Sequence, residues 1–205
     1  MGGVNLNGNG LITPTATLGV SQMIDPFAGM PAPTAGSCQS DVSLKNHESK
    51  TINAGTYCSQ ISLTGQASLT LNPGLYILKG GLTMAGGTSL TSNGGVTFYI
   101  PSGSVSISAG ATVNLTAQST GNLQGILMWQ DKNDTNAASL TGGAGQTLIG
   151  AVYFPSAQLT YTGGSTTNQT ATTIAADTLS FVGNTYLSQA AQTNYLGKTG
   201  VFIVE

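Results

Sequence analysis

The chain has 205 residues, of which 6% are charged, 40% are hydrophobic and 29 are glycine, with a formal net charge of −2. Five lysines and no arginine provide neither a basic stripe for phosphates nor a cation cluster for acidic polysaccharides, which argues against both partners. Disorder is excluded as well, because disordered chains are rich in charge and poor in aliphatics.

Residues 1 to about 24, with the Thr-Pro-Thr-Ala-Thr run at 13–17, are expected to form an irregular first coil or cap. The opening Met1-Gly2-Gly3-Val4-Asn5 lacks the basic and apolar regions of a signal peptide. No run approaches the roughly 18 apolar residues of a membrane span. An envelope protein of this composition would therefore reach a membrane only through an anchor that this chain lacks.

Residues 25–50 open with Asp25-Pro-Phe-Ala-Gly-Met-Pro-Ala-Pro33 and concentrate charge, which predicts an extended lid across the open end of the fold. Cys38 and Cys58 enclose about 20 residues, a loop for which a bridge contributes about 3 kcal/mol. A disulfide is the expected reading, set against free thiols and against a Cys nucleophile served by Asp41 and His47.

From residue 51 a short phrase recurs: an apolar residue, Ser or Thr, another residue, then Gly. Taking Leu63, Met84, Ile107, Leu140, Tyr161 and Phe181 as equivalent, the spacings are 21, 23, 33, 21 and 20. A second phrase keeps the same phase, with Gly74, Gly95, Gly125 and Gly150 each preceding an apolar strand-like run. One period shared by two phrases predicts an all-β, single-stranded β-solenoid, read as a right-handed parallel β-helix with coils of about 20–23 residues. The domain plan is then 1–50 as irregular coil and capping lid, and 51–205 as the solenoid of the same domain.

Alternation in Val105-Ser-Ile107 and Leu159-Thr-Tyr161 sends one residue inward and the next to solvent. Leu75 to Leu78 and Ile126 to Trp129 do not alternate, so these strands are expected to be covered on both faces. Stacking also accounts for the missing charge, since charged equivalents would form like-charge ladders, whereas Asn72 and Asn93 can hydrogen-bond up the stack. The long spacing is assigned to an insertion loop at about 130–137, and Ser188 to Gln192 to a helical turn.

Several of these phrases together resemble a known family. Asp25 to Pro33, Gly55-Thr-Tyr-Cys58, Leu71-Asn-Pro-Gly-Leu-Tyr-Ile77 with Gly80-Gly81, and Val96-Thr-Phe-Tyr-Ile100 carry the resemblance. So do Gly125-Ile-Leu-Met-Trp-Gln-Asp131, Gly150-Ala-Val-Tyr-Phe-Pro155 and Val201-Phe-Ile-Val-Glu205. In order along the chain, they resemble the β-solenoid domain of the TadG-like group, within the TadE/TadG class of tight-adherence (Flp) pilus-assembly proteins. The resemblance implies a non-enzymatic structural or assembly role in the bacterial envelope, periplasmic or at the cell surface. It implies other pilus or envelope proteins as partners, and brings no catalytic residues and no cofactor.

Asp131 and Asp134, in Asp-Lys-Asn-Asp-Thr-Asn136, offer the hard oxygens calcium takes, against the alternative of a solvated loop. Asp177 with Asp131 or Asp134 is the only carboxylate pairing considered for glycoside chemistry. Trp129, Tyr153 and Tyr161 form a sugar-stacking face if exposed, and part of the core otherwise. Thr70, Thr91, Thr160 and Thr162 are candidates for an ice-binding or glycan-binding array, the alternative function being an adhesin or ligand-binding module. Self-association through the solenoid ends is a further expectation, and nucleic acid is not expected as a partner.

Overall fold

A computed structural model describes residues 25, 27–141, 146–162, 169–170, 173–183, 187–188 and 200–203. Among them there is no helix and every strand pairing is parallel; sixteen strands join into one continuous sheet wound into a β-solenoid of about six turns. Each coil has three faces. The first stacks Ser43–Leu44, Ile61–Leu63, Leu82–Met84, Val105–Ile107 and Ala138–Thr141, then 158–162 and 178–182. The second stacks Ser49–Ile52, Ser68–Leu71, 89–92, Thr112–Thr116 and Gln146–Ile149. The third stacks Gly55–Tyr57, Gly74–Leu78, 96–100, Ile126–Gln130, 151–154, 173–176 and Gly200–Ile203.

The six residues taken as equivalent are direct register partners on the first face, from Leu63 through Met84, Ile107, Leu140 and Tyr161 to Phe181. They point inward, and the five from Leu63 to Tyr161 are fully buried. The core is thus a set of columns in which each apolar side chain sits on its equivalent one strand spacing away, about 4.8 Å. Corners repeat in the same way. Between the first and second faces the first four turns use left-handed backbone, at Asn46 and His47, Gly65 and Gln66, Gly87, and Gly110. His47 is thereby an exposed turn residue, a conformation His tolerates better than most. Between the second and third faces, Asn93 donates to Asn72 (3.2 Å) and Asn72 to Asn53 (2.6 Å), so the expected Asn ladder is formed and extends one coil further.

Three features differ from the expectations. The stack begins at Ser43, before the boundary at 51. The extra residues of the long repeat fall in two places. Gly95 and Phe98 are three apart, while their partners Thr116 and Met128 are twelve apart, so most of the insertion precedes Ile126. A smaller excess lies between Trp129 and Ser139, ten apart against seven for Tyr99 and Ser106. Finally, Leu187–Ser188 is a strand paired with Gln169–Thr170, and the rest of the expected helical turn, 189–192, lies outside the described residues.

The N-terminal end of the second face carries its own device. Lys50 occupies the register position that is Leu69, Leu90 and Val113 in the next three coils. An exposed lysine at the head of an apolar column makes another strand stacking there costly, one way edges are kept from pairing. Replacing it (Lys50→Leu) is expected to raise self-association, seen as a larger sedimentation coefficient at high concentration. An unchanged coefficient would show that Lys50 guards nothing.

Candidate functional site

The third face differs from the other two because its outer surface is apolar. Its outward column runs Thr56, Ile77, Tyr99, Trp129, Tyr153 and Ala175. Tyr99 and Trp129 meet edge to face at 4.9 Å. An outward aromatic row would normally be exposed, but Trp129 and Tyr153 are only 5% and 4% exposed. The cover is the segment from Asp25 to Gln39. Phe27 lies on Tyr153 with ring centroids 5.0 Å apart, while Met30, and Leu123 from the insertion, pack on the same cluster. The non-alternating strands are therefore covered on both faces, by the chain itself.

This segment is a strap along the flank, not the expected lid across the end. Its far end is fixed by the Cys38–Cys58 disulfide, Cα atoms 5.5 Å apart, and by a bridge from Cys38 to Thr56. Its near end is fixed by Asp25, whose carboxylate accepts from the Tyr153 hydroxyl (2.5 Å) and from the Phe27 amide (2.8 Å). Thr56 and Tyr153 are four rungs apart, about 19 Å. Around Thr34 to Gln39 the strap is held to the sheet by the Gly36 and Gln39 amides, which donate to Thr56 Oγ1 (2.9 Å) and the Thr56 carbonyl oxygen (2.7 Å). An open groove of about 410 Å³ lies beside it, lined also by Leu75 and Ile77. The paired cysteines leave no thiol for a nucleophile, and a formed bridge is what an oxidising compartment permits.

The loop after Gln130 is the second polar centre. Asp131 accepts from the Tyr99 hydroxyl on one oxygen (2.5 Å), and from the Asn133 amide nitrogen and Nδ2 on the other (both 2.8 Å). Burial acts to raise its carboxyl, but these bonds and the Lys132 charge outweigh it and hold the group below the ordinary carboxylate value. Tyr99 and Tyr153 are pushed well above the usual phenol value, first by burial and then by their bonds to Asp131 and Asp25. Both acids thus serve as acceptors for buried phenols. Asp134 is tucked inward at 5% exposure, and one of its oxygens accepts from the Asn136 amide nitrogen and Nδ2.

The exposed faces are neutral. On the first, Ser43, Ser62, Thr83, Ser106, Ser139, Thr160 and Ser180 form one outward column through seven rungs. Thr83 accepts from Gln60 (2.9 Å); the other six hydroxyls make no side-chain hydrogen bond among the described residues. On the second face the corresponding row is tied internally, Ser89 to Ser68 at 2.8 Å and Thr70 with Thr91 at 3.4 Å. The regular hydroxyl column was missed in the sequence because a Ser/Thr mixture hides it; aligning the coils on the inward apolar column reveals it.

The remaining candidates are dispersed. Tyr161 is fully buried inside the first face, so with Trp129 and Tyr153 covered the three aromatics offer no stacking platform. Asp177 follows Ala176 at the corner where Asp131 follows Gln130, two rungs away, about 10 Å. Both oxygens of Asp131 are already engaged, which closes the Asp131–Asp177 pairing. No group of three or more His, Cys, Asp or Glu side chains is placed to hold a metal among the described residues.

Fold and surface together define a disulfide-strapped, parallel β-solenoid with neutral hydroxyl-lined faces. No family model, curated protein or solved structure matches the chain.

Proposed function

We propose that the protein is a non-enzymatic structural or assembly component of the bacterial envelope, periplasmic or at the cell surface, associated with a tight-adherence (Flp) pilus. The observation supporting this reading is the architecture of the surface. The stack uses the outward row of Tyr99, Trp129 and Tyr153, with Asp25 and Asp131, to hold its own strap and loop. What it presents outward is a hydroxyl column seven rungs long with few charges around it, a surface suited to protein contacts rather than to turnover. The resemblance of its phrases to the TadG-like group supplies the pilus setting. Deleting the gene is expected to abolish or shorten surface pili, with recovery on complementation. Normal piliation in the deletion strain would remove the pilus assignment.

The free hydroxyl column favours a second reading, a ligand-binding module whose partner is ice or a neutral glycan. Freezing-point hysteresis or retention on a glycan array, lost when Ser106 and Ser139 are replaced by lysine, supports it. Inactivity in both assays rejects it.

A further inference from the structure

We propose that the 130–136 loop is a calcium site whose protein ligands are Asp134 Oδ2 and Gln130 Oε1. Gln130 stands in an inward column of the third face, between Ile100 in the coil before and Phe154 in the coil after. It is completely buried there, where the neighbouring coils use apolar side chains. A polar residue in an apolar column breaks the pattern of the stack, and such breaks concentrate at functional positions.

The amide orientation is fixed. Gln130 Nε2 donates to the Asn136 carbonyl oxygen at 2.7 Å, and flipping the amide would set oxygen against oxygen. Its Oε1 is then held beside the loop, buried and without a donor. Asp134 is in the same state: Oδ1 takes both Asn136 donors, while Oδ2 is buried and unpartnered. Two acceptor oxygens, one of them on a carboxylate, are thus withdrawn from solvent in one seven-residue segment with no N–H or O–H directed at either. A buried acceptor without a donor is costly, most of all when it carries charge. A cation satisfies acceptors that no donor reaches, and carboxylate with amide oxygen is the hard donor set calcium prefers over transition metals. Asp131, considered beside Asp134 from the sequence, is not one of the ligands, because Tyr99 and Asn133 occupy both its oxygens. Among the described residues the Tyr161 hydroxyl is a further buried polar atom without a partner, and it belongs to the first face.

With a single carboxylate the site belongs with weak extracellular calcium modules, which bind at about 10⁻⁴–10⁻³ M. It is independent of the pilus reading, since a calcium-stabilised corner serves any extracytoplasmic role.

The test uses the whole chain and terbium(III) alone as probe, excited through Trp129, the chain's only tryptophan and the neighbour of Gln130. Saturable sensitised emission is expected, displaced by millimolar calcium, with a calcium-dependent rise in melting temperature. Asp134→Asn keeps the acceptor for Asn136 and is expected to lose both responses. Gln130→Leu restores the apolar column, and is expected to fold without calcium while binding terbium at least tenfold more weakly. Absence of sensitised emission, emission unchanged in both variants, or melting indifferent to calcium overturns the site.

Discussion

Gly81→Ala is expected to destabilise the protein by about 3 kcal/mol or more, seen as a large fall in the urea midpoint, and to prevent folding if the native margin is small. Gly81 has φ +78°, a left-handed backbone that alanine adopts at a cost. More decisively, an added Cβ would lie 2.1 Å from the Ser104 carbonyl oxygen of the next coil. That oxygen already accepts from the Leu82 amide at 3.0 Å, so it cannot retreat without opening the ladder. The crowding extends along the corner: a Cβ on Gly80 would meet the Gln60 nitrogen at 2.3 Å, and one on Gly103 the Gly80 carbonyl carbon at 2.7 Å. Gly29 is the control, because nothing lies within 4 Å of its added Cβ and its backbone is ordinary. Gly29→Ala is expected to leave the midpoint unchanged. Equal midpoints for Gly81→Ala and wild type would contradict the close approach of the coils.

Phe27→Ala is expected to release the strap rather than melt the stack. The ring is 2% exposed and sits on Tyr153, so its removal forfeits about 3–5 kcal/mol of packing at that end of the segment. Cys38 still tethers the other end, and the parallel ladder beneath does not include residues 25–33. The loss should therefore be local. Trp129, beneath the strap and alone of its kind, reports it directly. Its emission should shift to the red and become open to acrylamide quenching, with dye binding to the bared aromatic row, while the main thermal transition moves little. A Trp129 signal identical to wild type would mean that Leu123 and the insertion suffice as cover. Reducing the disulfide in the same variant removes a second anchor of the strap and should enlarge the effect.

Asp25 and Asp131 play parallel parts here. Each receives a phenol from the outward row, Tyr153 and Tyr99 respectively, and each belongs to a segment outside the regular rungs. Charge in this chain is sparse partly because stacked equivalents repel. Where it survives on the third face, it fastens the irregular pieces to the regular one.

The strand columns were legible before any coordinates. The Cys38–Cys58 bridge follows from a chain with two cysteines a short loop apart. Leu63 through Phe181 and the Asn72–Asn93 ladder follow from a period of about twenty-two residues and a pleat of two. Repetition makes these features local: each coil states its register again, and every neighbour repeats it. What covers the aromatic row, where the insertion enters and why Gln130 interrupts an apolar column depend on segments that occur once. Phe27 reaches Tyr153 across 126 residues, and nothing periodic links them. The Asp134 environment is equally non-repeating, since it is built from a few extra residues at one corner. A stack specifies its own continuation because each rung templates the next. Its covering and its closing contacts are single long-range events that only the folded chain brings together.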